Sequence, residues 1–176
     1  RIDEVQLFRG ALGCAEVGRL TKADDSPAPP APPEPGLIGH WAFSEGAELV
    51  DSTGNWNALE LHGGIVARDG KLVGGFGNET GFARARGWQG GLIREKTFVA
   101  WARLTNPATH GGALISLDSQ RPREVNSDSL ASFVFGHADV WTMADDGRLG
   151  GRPWLQGVDE TPTELRQVAL SWTALD

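Results

Sequence analysis

The residue types that could do chemistry here fall into a few groups. Trp56, Trp88 and Trp154 lie in Gly- or Pro-flanked segments rather than in strand-like runs. An indole on such a loop can offer its flat face to a sugar while amide and carboxylate neighbours take the hydroxyls. Trp88 also has Arg84, Arg86 and Gln89 nearby, a set suited to an acidic polymer through stacking and charge. The bland alternative is that Trp88 packs on its own loop. Asp51, Ser52, Asn55 and Asn57 supply the oxygens a calcium ion prefers, yet the same side chains are what a tight turn requires. Calcium is therefore a candidate cofactor at Asp51, Asn55 and Asn57, and no cofactor is required. His40, His62, His110 and His137 form no close i+2 or i+4 pair, which argues against zinc. Asn78, Glu79 and Thr80 match the N-glycosylation acceptor pattern, read here as unmodified.

These residues need a scaffold, and composition says which kind. The 176 residues fit one ordinary domain, or one domain with a fragment of another. Hydrophobic residues make up 40% and charged residues 22%, so a buried core is within reach. The net charge of −7 argues against a nucleic-acid partner, and no apolar run is long enough to span a membrane. One cysteine permits no intrachain disulfide. The opening at Arg1, without Met or a signal-like segment, reads as a processed chain or a piece of a longer one. Twenty-four glycines disfavour long helices, since each interior Gly costs about 1 kcal/mol relative to Ala. Short strands between Gly-containing turns are expected instead.

The chain divides in three. Residues 23–36 hold six of the ten prolines and read as an extended polyproline II spacer rather than a ligand for a proline-recognising domain. Residues 1–22 predict a strand through Ile2, Val5, Leu7 and Phe8, a Gly turn, and one short helix over 14–22 with Val17 and Leu20 inward. So short a segment must dock on something else. Residues 37–176 predict strands at 37–43, 59–62, 64–67, 71–73, 97–104, 113–117, 131–135, 139–143 and 167–172. Apolar residues on both faces of 97–104 mark a central strand. Trp41, Trp101 and Trp172 fall inside strands and are expected in the core. Together this predicts an all-β, two-layer antiparallel sandwich or jelly roll with one short helix near the start.

The run Gly-Leu-Ile-Gly-His-Trp-Ala-Phe-Ser-Glu-Gly at 36–46, then Asp-Ser-Thr-Gly-Asn-Trp-Asn at 51–57 and Leu-His-Gly-Gly at 61–64, resembles the opening of a laminin-G-like domain. That family belongs to the concanavalin A-like lectin/glucanase superfamily. Residues 97–104 resemble its central strand, 167–172 a later strand, and 2–12 with Ala15, Glu16 and Val17 its closing strand and trailing helix. Closing strand before opening strand is the reverse of the family order, and the family would continue past Asp176 by three or four strands of roughly 8–12 residues each. This order implies the tail of one repeat, a spacer and most of the next, with the N-terminal strand docked on the following domain or on a neighbouring copy; a permuted closing strand is the other account.

The resemblance implies a non-catalytic binding or adhesion module of a larger, extracellular or cell-surface protein. Its partners would be carbohydrate or extracellular protein, with Trp56, Trp88, Trp154, Arg86 and Gln89 as contacts. The alternative is a structural repeat that assembles with neighbouring repeats or copies through open sheet edges, as in a filament or surface layer. Glycoside hydrolysis would need two facing carboxylates. The superfamily's Glu-x-Asp-x-(x)-Glu pattern is missing; Asp3 and Glu4 are adjacent on a strand, Asp145 and Asp146 read as a turn, and Asp159, Glu160 and Glu164 as a loop. No nucleophile elbow is recognisable either, so no catalytic residue is expected.

Overall fold

The computed structural model describes residues 1–20, 36–74, 81–103, 113–117, 131–136, 140–145 and 165–172. The chain forms two units, one of residues 1–103 with 165–176 and one of residues 104–164. The described residues are mostly β-strand, every sheet is antiparallel, and the helix content is a single turn.

In the first unit the central pair is β1 (Ile2–Arg9) and β7 (Lys96–Ala102). Thr97, Phe98, Val99 and Trp101 are β-branched or aromatic, the types that fill a pleated surface. Residues 97–102 are all buried, so both faces of β7 are covered, and its two edges are filled by β1 and β11 (Arg166–Trp172). The opposite edge of β1 holds β2 (Leu37–Trp41) along Val5 to Phe8 and touches β5 (Lys71–Val73) at Ile2. β4 (Val66–Arg68) closes the sheet by a hairpin with β5. The hairpin turns on Asp69 and Gly70, both at positive φ, the two-residue geometry that matches strand twist. The expected N-terminal strand is thus paired on both edges within the chain.

The helix, α1 (Cys14–Val17), is shorter than expected. Gly18 ends it, donating its amide to the Cys14 carbonyl, and i→i−3 bonds carry the chain tightly to Leu20. Leu20 still packs inward, beside Leu12, Leu37 and Leu165 around Phe8, Val99 and Trp101. β2 ends at Trp41, just before buried Phe43, whose φ of 55° takes the backbone out of the extended region.

A separate ribbon pairs β3 (Glu60–His62) with β6 (Phe82–Arg84). Its Leu61 and Ala83, with Ala85, pack on a cluster of Trp41, Phe43 and Leu72. β6 has no counterpart among the expected strands. The second unit contains β8 (Ala113–Leu117), β9 (Ala131–Gly136) and β10 (Val140–Asp145), an antiparallel sheet with β9 in the middle. Trp41 and Trp101 are buried as expected. Trp172 lies in β11, but its side chain, the spacer over 21–35, Asn78, His110, His137, Asp146 and the acidic residues at 159, 160 and 164 lie outside the described residues.

Thr97 has no exposed surface, and its hydroxyl accepts from the Leu12 amide at 2.8 Å and donates to the Gly10 carbonyl at 3.0 Å. Thr97→Val keeps the shape but leaves those backbone groups unpaired, so it is expected to cost about 1–3 kcal/mol. Leu7→Ala, in the buried part of β1, is expected to cost about 2–5 kcal/mol. Urea unfolding of both variants checks these values; a Thr97→Val protein as stable as the parent would remove the hydroxyl's anchoring role.

Candidate ligand-binding face

The turn after β2 is organised by one carboxylate. Asp51 is 4% exposed, and its two oxygens accept from the amides of His40 (2.8 Å), Thr53 (3.1 Å), Asn55 (2.9 Å) and Trp56 (3.1 Å) and from the Thr53 hydroxyl (2.7 Å). Asn55 turns its amide nitrogen to the Ile38 carbonyl and the Thr53 hydroxyl. Asn57 sits against Gly87, and its backbone amide donates to the Arg86 carbonyl at 2.8 Å. This is the turn role of the aspartate; a calcium ion at Asp51, Asn55 and Asn57 would have to displace these bonds. Among the described residues, no group of three or more His, Cys, Asp or Glu is arranged to hold a metal ion.

A second polar chain joins this turn to β1. Glu4 is 2% exposed and accepts from Gln6 and His40, each at 2.8 Å. With His40 Nε2 carrying its proton toward Glu4, Nδ1 accepts from the Ser52 hydroxyl, also at 2.8 Å. Acid, imidazole and hydroxyl are in contact, and the amides of Ser52 and Thr53 are both committed. Ser52 N–H donates to the His40 carbonyl and Thr53 N–H to Asp51. The arrangement clasps strand to turn.

Held by this turn, Trp56 donates its indole N–H to the Ile38 carbonyl at 2.8 Å and stacks on Trp88, with centroids 5.1 Å apart and planes 26° from parallel. Trp41 lies behind, 6.3 Å from Trp56. The Arg9 guanidinium sits 5.4 Å from the Trp88 centroid. Trp88 donates to the Gly91 carbonyl and rests so closely on Gly90 that a Cβ there would lie 2.0 Å from its ring. The structure brings Trp56, Trp88 and Arg86 into one region, with Gln89 exposed next to Trp88. Trp154 lies outside the described residues. Trp88 is therefore braced by Trp56, Arg9 and its own loop.

The exposed chemistry of that region lies on the ribbon. Phe82, Arg84 and Arg86 alternate with half-buried Ala83 and Ala85, so all three project outward. Phe82 is 45% exposed and stacks on His62, its cross-strand partner, with centroids 4.5 Å apart. The Arg84 guanidinium lies 4.9 Å from the Phe82 centroid. Glu60, opposite Arg84 in register, meets Arg86 Nε at 3.3 Å and His62 Nε2 at 3.6 Å. The face presents one partly exposed aromatic ring in contact with His62 and Arg84, with Arg86 and a carboxylate nearby. Phe82 and His62 were not among the residues the sequence nominated. The signal available was the outward period-two spacing of Phe82, Arg84 and Arg86 against small inward alanines.

No family model, curated protein or solved structure matches the chain.

Asp51→Ala strips the acceptor from the amides of His40, Thr53, Asn55 and Trp56, and a loss of about 2–4 kcal/mol is expected in chemical denaturation. Added calcium is expected to leave the parent's melting temperature unchanged. A rise of several degrees, lost in Asp51→Ala, would show that the turn binds the ion.

Proposed function

We propose that this chain is a non-catalytic binding module of a larger extracytoplasmic protein, and that its ligand is carbohydrate bound on the β3–β6 ribbon face. The observation that carries this reading is the outward ring of Phe82, 45% exposed and flanked by His62, Arg84 and Arg86. Among the described residues four large hydrophobics are exposed, Val50, Val66, Phe82 and Leu92, and Phe82 is the one that offers an aromatic ring. A flat aromatic surface framed by planar donors is what a pyranose needs: one apolar face covered, its rim of hydroxyls hydrogen-bonded. Trp56 packs with the ribbon's inward residues on the Trp41 cluster and stacks on Trp88, and Arg86 continues the outward row of Phe82 and Arg84.

In this reading the scaffold is a laminin-G-like, two-layer sandwich. Its support is the resemblance of the motifs at 36–46, 51–57 and 97–104, and the packing of the ribbon's inner face on Trp41, Phe43 and Leu72. The structural-repeat alternative predicts self-association instead.

A glycan array, run with and without calcium, tests the reading, together with light scattering of the free chain. Specific glycan binding is expected, lost at least ten-fold in Phe82→Ala, with the melting temperature little changed because the ring's contacts are with the exposed side chains of His62 and Arg84. An array without hits and a chain that polymerises would replace this reading with the structural one.

A further inference from the structure

The ribbon face also carries information about the charge of its ligand. The following rests on the binding reading above and deepens it.

The chain has a net charge of −7, yet the outward positions of β6 and the residue pair after it are Phe82, Arg84 and Arg86. Cations gathered around an exposed ring on an acidic protein need an anion. In the free chain one is present: a single Glu60 oxygen lies 3.3 Å from Arg86 Nε and 3.6 Å from His62 Nε2, with Arg84 across the ribbon in register. The Glu60 and Arg86 side chains are each about half exposed, 47% and 53%. An ion pair this wet is worth roughly 1 kcal/mol or less, so it does little for the fold and opens readily. A guanidinium fork takes a planar, two-oxygen carboxylate better than any neutral hydroxyl.

We propose that Glu60 is a stand-in for the ligand's carboxylate. Its carboxylate occupies the position in which the ligand's own carboxylate binds, beside Arg86 and His62, so the face takes a uronate-type acidic sugar. Phe82 covers the apolar side of the ring, Arg86 grips the carboxylate, and Glu60 swings to solvent as the ligand enters. Displacing Glu60 from Arg86 and His62 costs any anion the little that the exposed pair is worth, and stacking on Phe82 adds what a free anion lacks.

The experiment measures affinity for trigalacturonate and for its neutral methyl ester by calorimetry, for the parent, Glu60→Gln, Arg86→Ala, Arg86→Lys and Phe82→Ala. The acid is expected to bind the parent more tightly than the ester. Glu60→Gln removes the competitor while keeping its shape, so acid binding should tighten about two- to five-fold, the range an exposed ion pair spans, with the ester unmoved. Arg86→Ala should weaken the acid ten-fold or more, Arg86→Lys should restore part of that, and added salt should weaken the acid alone. Phe82→Ala should weaken both. Equal binding of acid and ester, or weaker acid binding in Glu60→Gln, overturns the stand-in while leaving a sugar-binding face. Failure of both trimers to bind, with an array that also shows no glycan, overturns the binding reading and this one with it.

Discussion

The first unit depends on the double pairing of β1. A strand in the middle of a sheet has amides and carbonyls facing both ways, and each one buried without a partner would be costly. Ile2–Arg9 meets that demand with β7 along one edge and with β2 and β5 along the other. β1 in turn brings together segments far apart in the chain, since residues 37–41 and 96–102 touch one another through it. The buried acids depend on the same placement. Glu4 reaches His40 only because β2 lies beside β1, and through His40 it reaches Ser52 in the turn that Asp51 organises. Strand pairing, the Glu4–His40–Ser52 chain and the Asp51 turn thus act in series, from the sheet centre out to Trp56.

Much of this was legible beforehand, for identifiable reasons. The strand at Leu37–Trp41 shows in its alternation, and the buried character of Lys96–Ala102 in apolar residues on both faces. Asp51, Ser52, Thr53, Gly54 and Asn55 announce a turn because their side chains bond local backbone, and Asp51 does so. Less legible was anything set by a partner. The helix ends after Val17 because Gly18 and the tight bonds to Leu20 suit the packing of Leu20 on Phe8 and its neighbours, a tertiary preference invisible in a short window. β6 was missed because its inward residues are alanines and its outward residue is phenylalanine, the inverse of the usual apolar-in pattern.

The same inversion explains why the site was only half legible. Tryptophans are conspicuous in a sequence, but conspicuous residues are also those most useful for packing. Trp56 donates to Ile38, stacks on Trp88 and backs onto Trp41; Trp88 lies over Gly90 and under Arg9. Each gains more from the scaffold than from facing water. The aromatic ring left partly exposed is the less conspicuous Phe82, and only the register of Glu60 with Arg84 and of His62 with Phe82 shows what surrounds it.

That division has a consequence for how such a face can change. Along β3 and β6 the inward set of Leu61, Ala83 and Ala85 anchors the ribbon to Trp41, Phe43 and Leu72, while the outward set of Glu60, His62, Phe82, Arg84 and Arg86 contacts mainly its own members. Period-two geometry keeps the sets on opposite faces. An outward substitution therefore alters charge and stacking without opening a cavity, and an inward one loosens the platform without altering its chemistry. The charge of the face can change by exchanging Glu60, Arg84 or Arg86 on a constant frame. The frame is set elsewhere, by Asp51 and by the strand that β1 inserts between its neighbours.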